Sequence, residues 1–115
     1  MRSILRIALA ALFSLTAFFH VSAQEANGKT TSTFKVEGLC GMCKSNIEEA
    51  AYIKGVKFTE WDRETKMLTV IFKTNKVTEQ DIHDAISVAG YDTPLAKATT
   101  DNYDALPGCC KYRPE

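Results

Sequence analysis

The residues best suited to chemistry in this chain are its four cysteines, which only two histidines accompany. Cys40 and Cys43 form a C-x-x-C pair, and Cys109 and Cys110 are adjacent near the end of the chain. Thiolate sulfur is a soft ligand that selects Cu(I), Zn(II) and similar ions over Mg(II) or Ca(II). Because two thiolates three positions apart can converge on one ion, the first pair indicates a soft-metal site.

The C-x-x-C spacing has other uses, which remain as alternatives. The same pair occurs in thiol–disulfide redox proteins, and in an exported protein it can form a simple disulfide. A thioredoxin-like redox protein needs more strands and helices than this chain supplies. We therefore expect a metal-binding protein without catalysis of its own, and a redox protein that uses Cys40 and Cys43 is the alternative.

The elements around the first cysteine pair place it at the start of a helix. A strand is predicted at 33–36 and a helix at 45–53, and Gly41 allows the loop between them to bend. Unpaired N–H groups and the positive end of the helix dipole favour a thiolate at this position. We expect them to lower the pKa of the loop cysteines, that of Cys43 in particular.

The N-terminal segment is typical of a secretory signal. Arg2 and Arg6 precede an apolar run at 7–19, and Val21-Ser22-Ala23 offers compact residues for a signal peptidase. The run is short for spanning a bilayer, which makes an uncleaved anchor the weaker interpretation. Cleavage after Ala23 predicts a periplasmic or secreted protein, free of the membrane, whose thiols are metal-bound, disulfide-bonded or kept reduced.

The rest of the pattern predicts an α+β fold with the ferredoxin-like order βαββαβ. Strands are predicted at 56–61 and 67–72, and a second helix follows Thr78, a good helix cap. A short fourth strand is expected within 92–98, at a sheet edge because Pro94 cannot donate a backbone hydrogen bond. The predicted architecture is a four-stranded antiparallel sheet with two helices on one face.

These elements divide the chain into four parts: a signal peptide at 1–23, a flexible lead-in at 24–32, a domain at 33–98 and a tail at 99–115. A chain of 115 residues accommodates one ordinary domain. Its 14 Lys and Arg residues balance 14 Asp and Glu residues, so no excess of positive charge favours nucleic acid.

One segment resembles a known metal loop. Val36-Glu37-Gly38-Leu39-Cys40-Gly41-Met42-Cys43 is similar to the loop of heavy-metal-associated domains, which include small copper chaperones, the N-terminal domains of metal-transporting ATPases and the periplasmic mercury-binding protein. Later landmarks of that family fall at Gly55-Val56, Trp61-Asp62, Leu68-Thr69-Val70 and Ala89-Gly90-Tyr91.

This resemblance covers about 33–97 and implies both a fold and an activity. The implied fold is βαββαβ, and the implied activity is binding of Cu(I), Hg(II) or Zn(II) by Cys40 and Cys43, followed by ligand exchange. We expect a monomer, with a metal-transporting ATPase or an efflux component as the candidate transfer partner.

The loop departs from the family pattern Gly-Met-Thr-Cys-x-x-Cys by one residue, since Gly38-Leu39 leads directly into Cys40. We expect Leu39 to replace the buried methionine that anchors the family loop, and Tyr91 to pack beside the site. Several other side chains are interpreted as structural: Met42 as solvent-facing, His83 as a solvated surface residue, Trp61 as a core or partly exposed strand residue, and Lys44, Glu48 and Glu49 as a solvated helix face.

Cys109 and Cys110 lie beyond the predicted domain, and two interpretations stay open. In the first they are an incidental pair, which could form a strained vicinal disulfide. In the second the tail returns to the metal loop and supplies further ligands. Residues 99–108 could span up to roughly 33 Å if extended, whereas a strand of about seven residues covers roughly 23 Å. The return is therefore geometrically possible.

Overall fold

The computed structural model describes residues 28–114, so the predicted signal segment at 1–23 lies outside the described residues. Within them the chain is an α+β domain with a three-stranded antiparallel sheet in the order β1-β3-β2. The elements are β1 (Lys29–Lys35), α1 (Gly41–Ala51), β2 (Val56–Trp61), β3 (Met67–Lys73), α2 (Glu79–Val88), α3 (Thr100–Asp104) and a 3-10 turn (Gly108–Cys110).

The central strand β3 joins the sheet to the core. Leu68 pairs with Phe34 of β1 on one side and with Trp61 of β2 on the other. Alternate β3 residues are buried, as their period-two pattern predicts. They share one hydrophobic cluster with the buried residues of α1 and α2, and the strand residues of that face are Leu68, Val70 and Phe72.

Helix α2 begins and ends where its sequence predicts. The Thr78 hydroxyl accepts a hydrogen bond from the N–H of Asp81, whose carboxylate accepts one from the N–H of Thr78 in return. After the helix, Gly90 has a φ of 107°, a conformation that favours glycine. A Cβ at Gly90 would lie 2.8 Å from the carbonyl oxygen of Asn102, so this glycine also lets the tail pack closely.

The predicted fourth strand at 92–98 is wrong for the described residues, because this segment folds into a tight turn. An isolated bridge joins Thr93 to Ala96, and the Thr93 hydroxyl accepts hydrogen bonds from the N–H groups of Leu95 and Ala96. These local bonds replace a strand ladder. One backbone bond links the segment to the end of β1, from the N–H of Glu37 to the carbonyl of Asp92 at 3.1 Å.

The prediction of a solvated His83 is also wrong, since its side chain is only 1% exposed. The imidazole stacks on Phe34 with ring centroids 3.8 Å apart, and its Nδ1 contacts the Thr93 hydroxyl. Burial lowers the pKa of His83, and nearby Glu79 and Asp84 oppose this effect only in part. His83 lies one residue away from the apolar stripe of α2, and this position alone did not indicate that Phe34 and Thr93 cover its imidazole ring.

The two ends of the described region extend the predicted domain. Strand β1 begins at Lys29 rather than at residue 33, and it pairs along the full length of β3 up to Lys73. The tail beyond Ala98 folds onto the domain, and its residues Tyr103, Leu106 and Cys110 join the central hydrophobic cluster. Within residues 28–114, no helix combines the length and the apolar character needed to cross a membrane.

Candidate metal centre

The loop that carries the first cysteine pair rests on Trp61, at the end of β2. The indole N–H of Trp61 donates to the carbonyls of Val36 and Lys66, each at 3.1 Å. A Cβ at Gly38 would lie 2.9 Å from both the Trp61 ring and the Ile47 side chain. Glycine is therefore required there for close packing, and Trp61 fixes where the loop leaves the sheet.

Leu39 does not take the place of a buried anchor, so this prediction is wrong. Its side chain is 41% exposed, while its carbonyl accepts a hydrogen bond from Nε of Arg63 at 3.3 Å. Because the loop is short, α1 begins immediately after Cys40 and the Leu39 side chain stays outside the core. The buried anchor is the Trp61 ring packed on Gly38.

Helix α1 is held against β2 by a residue that the sequence analysis assigned to a solvated face. The Glu48 carboxylate accepts a hydrogen bond from the N–H of Trp61 at 2.9 Å and one from the Lys44 ammonium at 2.7 Å. Lys44 also donates to the carbonyl of Trp61 at 2.9 Å. These contacts fix the start of α1 against the end of β2, and with it the position of the cysteines.

Cys40 is the N-cap residue of α1, and Cys43 lies in the first turn of the helix. Their sulfur atoms are 3.5 Å apart. Cys43 is fully buried, whereas Cys40 remains partly accessible. The pair is thus close enough to share one ion and accessible from one side.

The electrostatics of the helix start favour a thiolate at Cys40. Its pKa is lowered to about 6, first by the backbone N–H of Cys43 and then by the Cys43 thiol. The N–H contact lacks the geometry of a regular helix-capping hydrogen bond, but its dipole still stabilises negative charge on the sulfur. The lowered pKa therefore belongs to Cys40, the N-cap residue, whereas the expectation from the sequence concerned Cys43 in particular.

The tail brings a third sulfur to this pair. Sγ of Cys110 lies 3.8 Å from Sγ of Cys40, and the three sulfurs of Cys40, Cys43 and Cys110 lie within 4.8 Å of one another. Cys110 is fully buried. The tail therefore returns to the metal loop, as one of the two interpretations from the sequence expected.

Cys109 has a different position from its neighbour. It is exposed, and its sulfur lies 4.0 Å from Sγ of Cys110 and 4.0 Å from Sδ of Met42. Met42 is 51% exposed, in agreement with its predicted solvent-facing position. Cys109 and Met42 thus form an outer rim of sulfur beside the three inner cysteines.

Tyr91 is buried on the inner side of the cluster. Its hydroxyl accepts a hydrogen bond from Nδ2 of Asn46 at 3.2 Å and faces the sulfur of Cys110. Burial raises the pKa of Tyr91, and burial likewise raises the pKa of Cys110. Tyr91 therefore stays a neutral hydroxyl at the back of the site, where it can orient the sulfur of Cys110.

The fold and the cysteine cluster define a small α+β metal-binding domain. The heavy-metal-associated domain model matches residues 33–92, which is more than half of the chain. The chain belongs to this family, as its metal loop indicates. No curated protein matches the chain.

Solved structures of similar fold support this assignment. The CopZ metallochaperone is 35% identical, with a TM-score of 0.54, and the match covers 56% of this chain and 98% of that one. The putative copper-ion-binding protein from Bacillus anthracis str. Ames is 30% identical, with a TM-score of 0.55, and the match covers 59% of this chain and 99% of that one. Oxidized MerP from Ralstonia metallidurans CH34 is 28% identical, with a TM-score of 0.54, and the match covers 56% of this chain and 93% of that one.

Proposed function

We propose that this protein is an exported carrier of a soft metal ion, either a chaperone or a scavenger, that binds the ion through Cys40 and Cys43. The observation that carries this proposal is the 3.5 Å separation of their sulfurs at the start of α1, in a heavy-metal-associated domain. One thiolate with a pKa of about 6 is available near neutral pH, so the loop can capture an ion there.

Copper is the first ion to test among Cu(I), Hg(II) and Zn(II). Two of the similar structures are a CopZ metallochaperone and a putative copper-ion-binding protein, and a third is MerP. The metal is cargo in this proposal. The protein holds and releases it, and no group of the site is assigned a catalytic step.

Export and transfer complete the proposal. The predicted signal peptide at 1–23 supports delivery to the periplasm or the exterior. A copper-binding domain of the P-type ATPase HMA7 is 28% identical to this chain, with a TM-score of 0.53. A metal-transporting ATPase or an efflux component is accordingly the proposed exchange partner, and the carrier acts as a monomer.

Competition with a coloured Cu(I) chelator tests the proposal. The reduced protein should remove one Cu(I) per chain from the chelator, and the double variant Cys40→Ser/Cys43→Ser should abolish this at the same protein concentration. Ser45→Ala is a matched control, because Ser45 is an exposed residue of the same helix. Equal copper uptake by all the proteins would contradict the proposal, as would the absence of uptake by the unmodified protein.

A redox function is the second candidate, because Cys40 is a partly exposed thiol of low pKa with Cys43 3.5 Å away. A thiolate next to a second cysteine can attack a disulfide and then be resolved by its neighbour. An insulin-reduction assay with dithiothreitol distinguishes the two functions. The carrier should not accelerate the reaction above the rate of its Cys40→Ser variant, whereas turnover without copper affinity would favour the redox function.

A further inference from the structure

We infer that the C-terminal tail supplies Cys110 as a third ligand, which turns the two-cysteine loop into a three-sulfur site for one Cu(I) ion. This inference rests on the proposed function, since it concerns the same loop. It goes further by assigning to the tail a part in holding the ion.

The sulfur positions already approach those of a three-coordinate ion. With metal–sulfur bonds of about 2.3 Å, three sulfurs spaced evenly around one ion lie roughly 4.0 Å apart, and two sulfurs in a line lie roughly 4.6 Å apart. The distance from Cys40 to Cys43 is 3.5 Å and that from Cys40 to Cys110 is 3.8 Å. The loop pair is thus closer than a linear ion requires, and the third sulfur is near its place in a trigonal site.

The local structure of the tail directs Cys110 inward and Cys109 outward. Both lie in the 3-10 turn Gly108–Cys110, in which successive side chains point about 120° apart. The N–H of Cys110 donates to the carbonyl of Pro107 at 2.8 Å and closes this turn. The consequence is that Cys110 is fully buried against the loop while Cys109 is exposed.

An ion pair holds the end of the tail independently of any metal. The Arg113 guanidinium donates to the two carboxylate oxygens of Asp92 at 2.8 and 3.3 Å, and to the carbonyl of Ala98 at 2.7 Å. Burial disfavours the charge on Asp92, but hydrogen bonds from Arg113 and from the N–H of Ala98 outweigh it and lower the pKa of Asp92. We call this Arg113–Asp92 pair, with the Ala98 contact, the tail clasp.

Tyr112 adds a second attachment beside the clasp. Its hydroxyl donates to the carbonyl of Gly90 at 2.8 Å and accepts from the N–H of Asp92 at 2.9 Å. Its ring lies 5.1 Å from that of Tyr103 in an edge-on contact. These contacts position Cys110 before an ion arrives, so the third ligand binds without the cost of ordering the tail.

The ligand count favours Cu(I) over Zn(II) in this site. A closed zinc site has four ligands in a tetrahedron, whereas three sulfurs lie within 4.8 Å of one another; Sγ of Cys109 lies 4.0 Å from Sγ of Cys110 but outside that group of three. When Cu(I) binds, each metal–sulfur bond replaces the proton of a protonated thiol, and that proton passes to the buffer. No oxidant or reductant enters this step.

Copper-edge X-ray absorption of the reduced, Cu(I)-loaded protein tests the inference. We expect three sulfur ligands in the unmodified protein, three in the Cys109→Ser control and two in Cys109→Ser/Cys110→Ser. The double variant is used because Cys109, next in the chain, could otherwise replace Cys110. Two sulfurs in the unmodified protein, or three in the double variant, would overturn the inference.

Cu(I) competition provides a second readout that does not depend on spectroscopy. Relative to Cys109→Ser, the double variant should bind Cu(I) more weakly by on the order of a hundredfold, the gain expected of one additional tethered ligand. Arg113→Ala keeps all four thiols and releases the clasp, so it should speed Cu(I) loss. Affinity and loss rate that stay unchanged in these variants would overturn the inference.

The result also separates the inference from the proposed function. Copper bound through Cys40 and Cys43 alone would overturn the inference and leave the proposed function standing. Absence of Cu(I) binding by the unmodified protein would overturn both.

Discussion

The sulfurs of Cys40 and Cys110 lie 3.8 Å apart although the two residues are separated by 70 positions in the chain. This contact joins the helix start that carries the C-x-x-C pair to a tail beyond the residues that match the family model. The tail contact therefore lies outside the residues that match the family model.

Cys40 should be an unusually reactive thiol near neutral pH. Because its pKa is about 6, most of it is thiolate at pH 7, and the thiolate is the nucleophile. We expect iodoacetamide to modify Cys40 with a rate that rises with pH around a midpoint near this value. Peptide mass spectrometry of the reduced, metal-free protein measures the rate for that residue. A midpoint near the ordinary value of 9.0 would contradict the account of the helix start.

Trp61→Phe should destabilise the domain through the loss of its indole N–H. The carbonyl of Val36 would lose this buried donor, and such a loss typically costs about 1–3 kcal/mol. Urea denaturation gives the change in the free energy of unfolding. Tyr52→Phe is the control, since Tyr52 is 57% exposed and should change stability by less than about 0.5 kcal/mol. Similar values for the two variants would refute the role given to Trp61.

Folding stability should decline as the pH falls through the ordinary His pKa of 6.5. Burial lowers the pKa of His83, so the unfolded chain binds this proton more readily than the folded one. The contribution of neutral His83 to the free energy of unfolding is fully present above pH 6.5. It is lost as the pH falls from there through the lower pKa of the folded state. Urea denaturation at about pH 7.5 and about pH 5.5 measures the effect. His83→Gln should reduce the pH dependence of the free energy of unfolding. If that dependence stayed the same in the variant, groups other than His83 would be responsible for it.

Export should remove the N-terminal segment. Arg2, Arg6 and the apolar run at 7–19 predict cleavage after Ala23, so that the exported protein begins at Gln24. N-terminal sequencing of the protein from the periplasmic or secreted fraction measures this directly. An intact Met1 in that fraction would refute the prediction.

Elements with local signals were predictable from the sequence. Thr78 marks the start of α2 and Gly90 marks its end. Both signals involve residues only a few positions apart, so they can be recognised in a single sequence. The alternation of Leu68, Val70 and Phe72 likewise reveals the buried face of β3. The metal loop was recognisable because its two cysteines lie three positions apart.

Features that depend on distant partners were not predictable in the same way. The fourth strand is absent from the described residues because the Thr93 hydroxyl satisfies the N–H groups of a turn. His83 is buried because Phe34, from another element, covers its ring. The return of Cys110 depends on Arg113 and Asp92, a pair with no periodic signal in the chain.

Native mass spectrometry after exposure to Cu(I) tests the central claim most directly, because it counts the ions on each chain. The reduced protein, with excess copper removed by a weak chelator, should carry the mass of one copper ion. Cys109→Ser should retain that ion, and Cys40→Ser/Cys43→Ser should lose it. A metal-free mass for the unmodified protein, or copper retained by the double variant, would contradict the claim that Cys40 and Cys43 hold a soft metal ion.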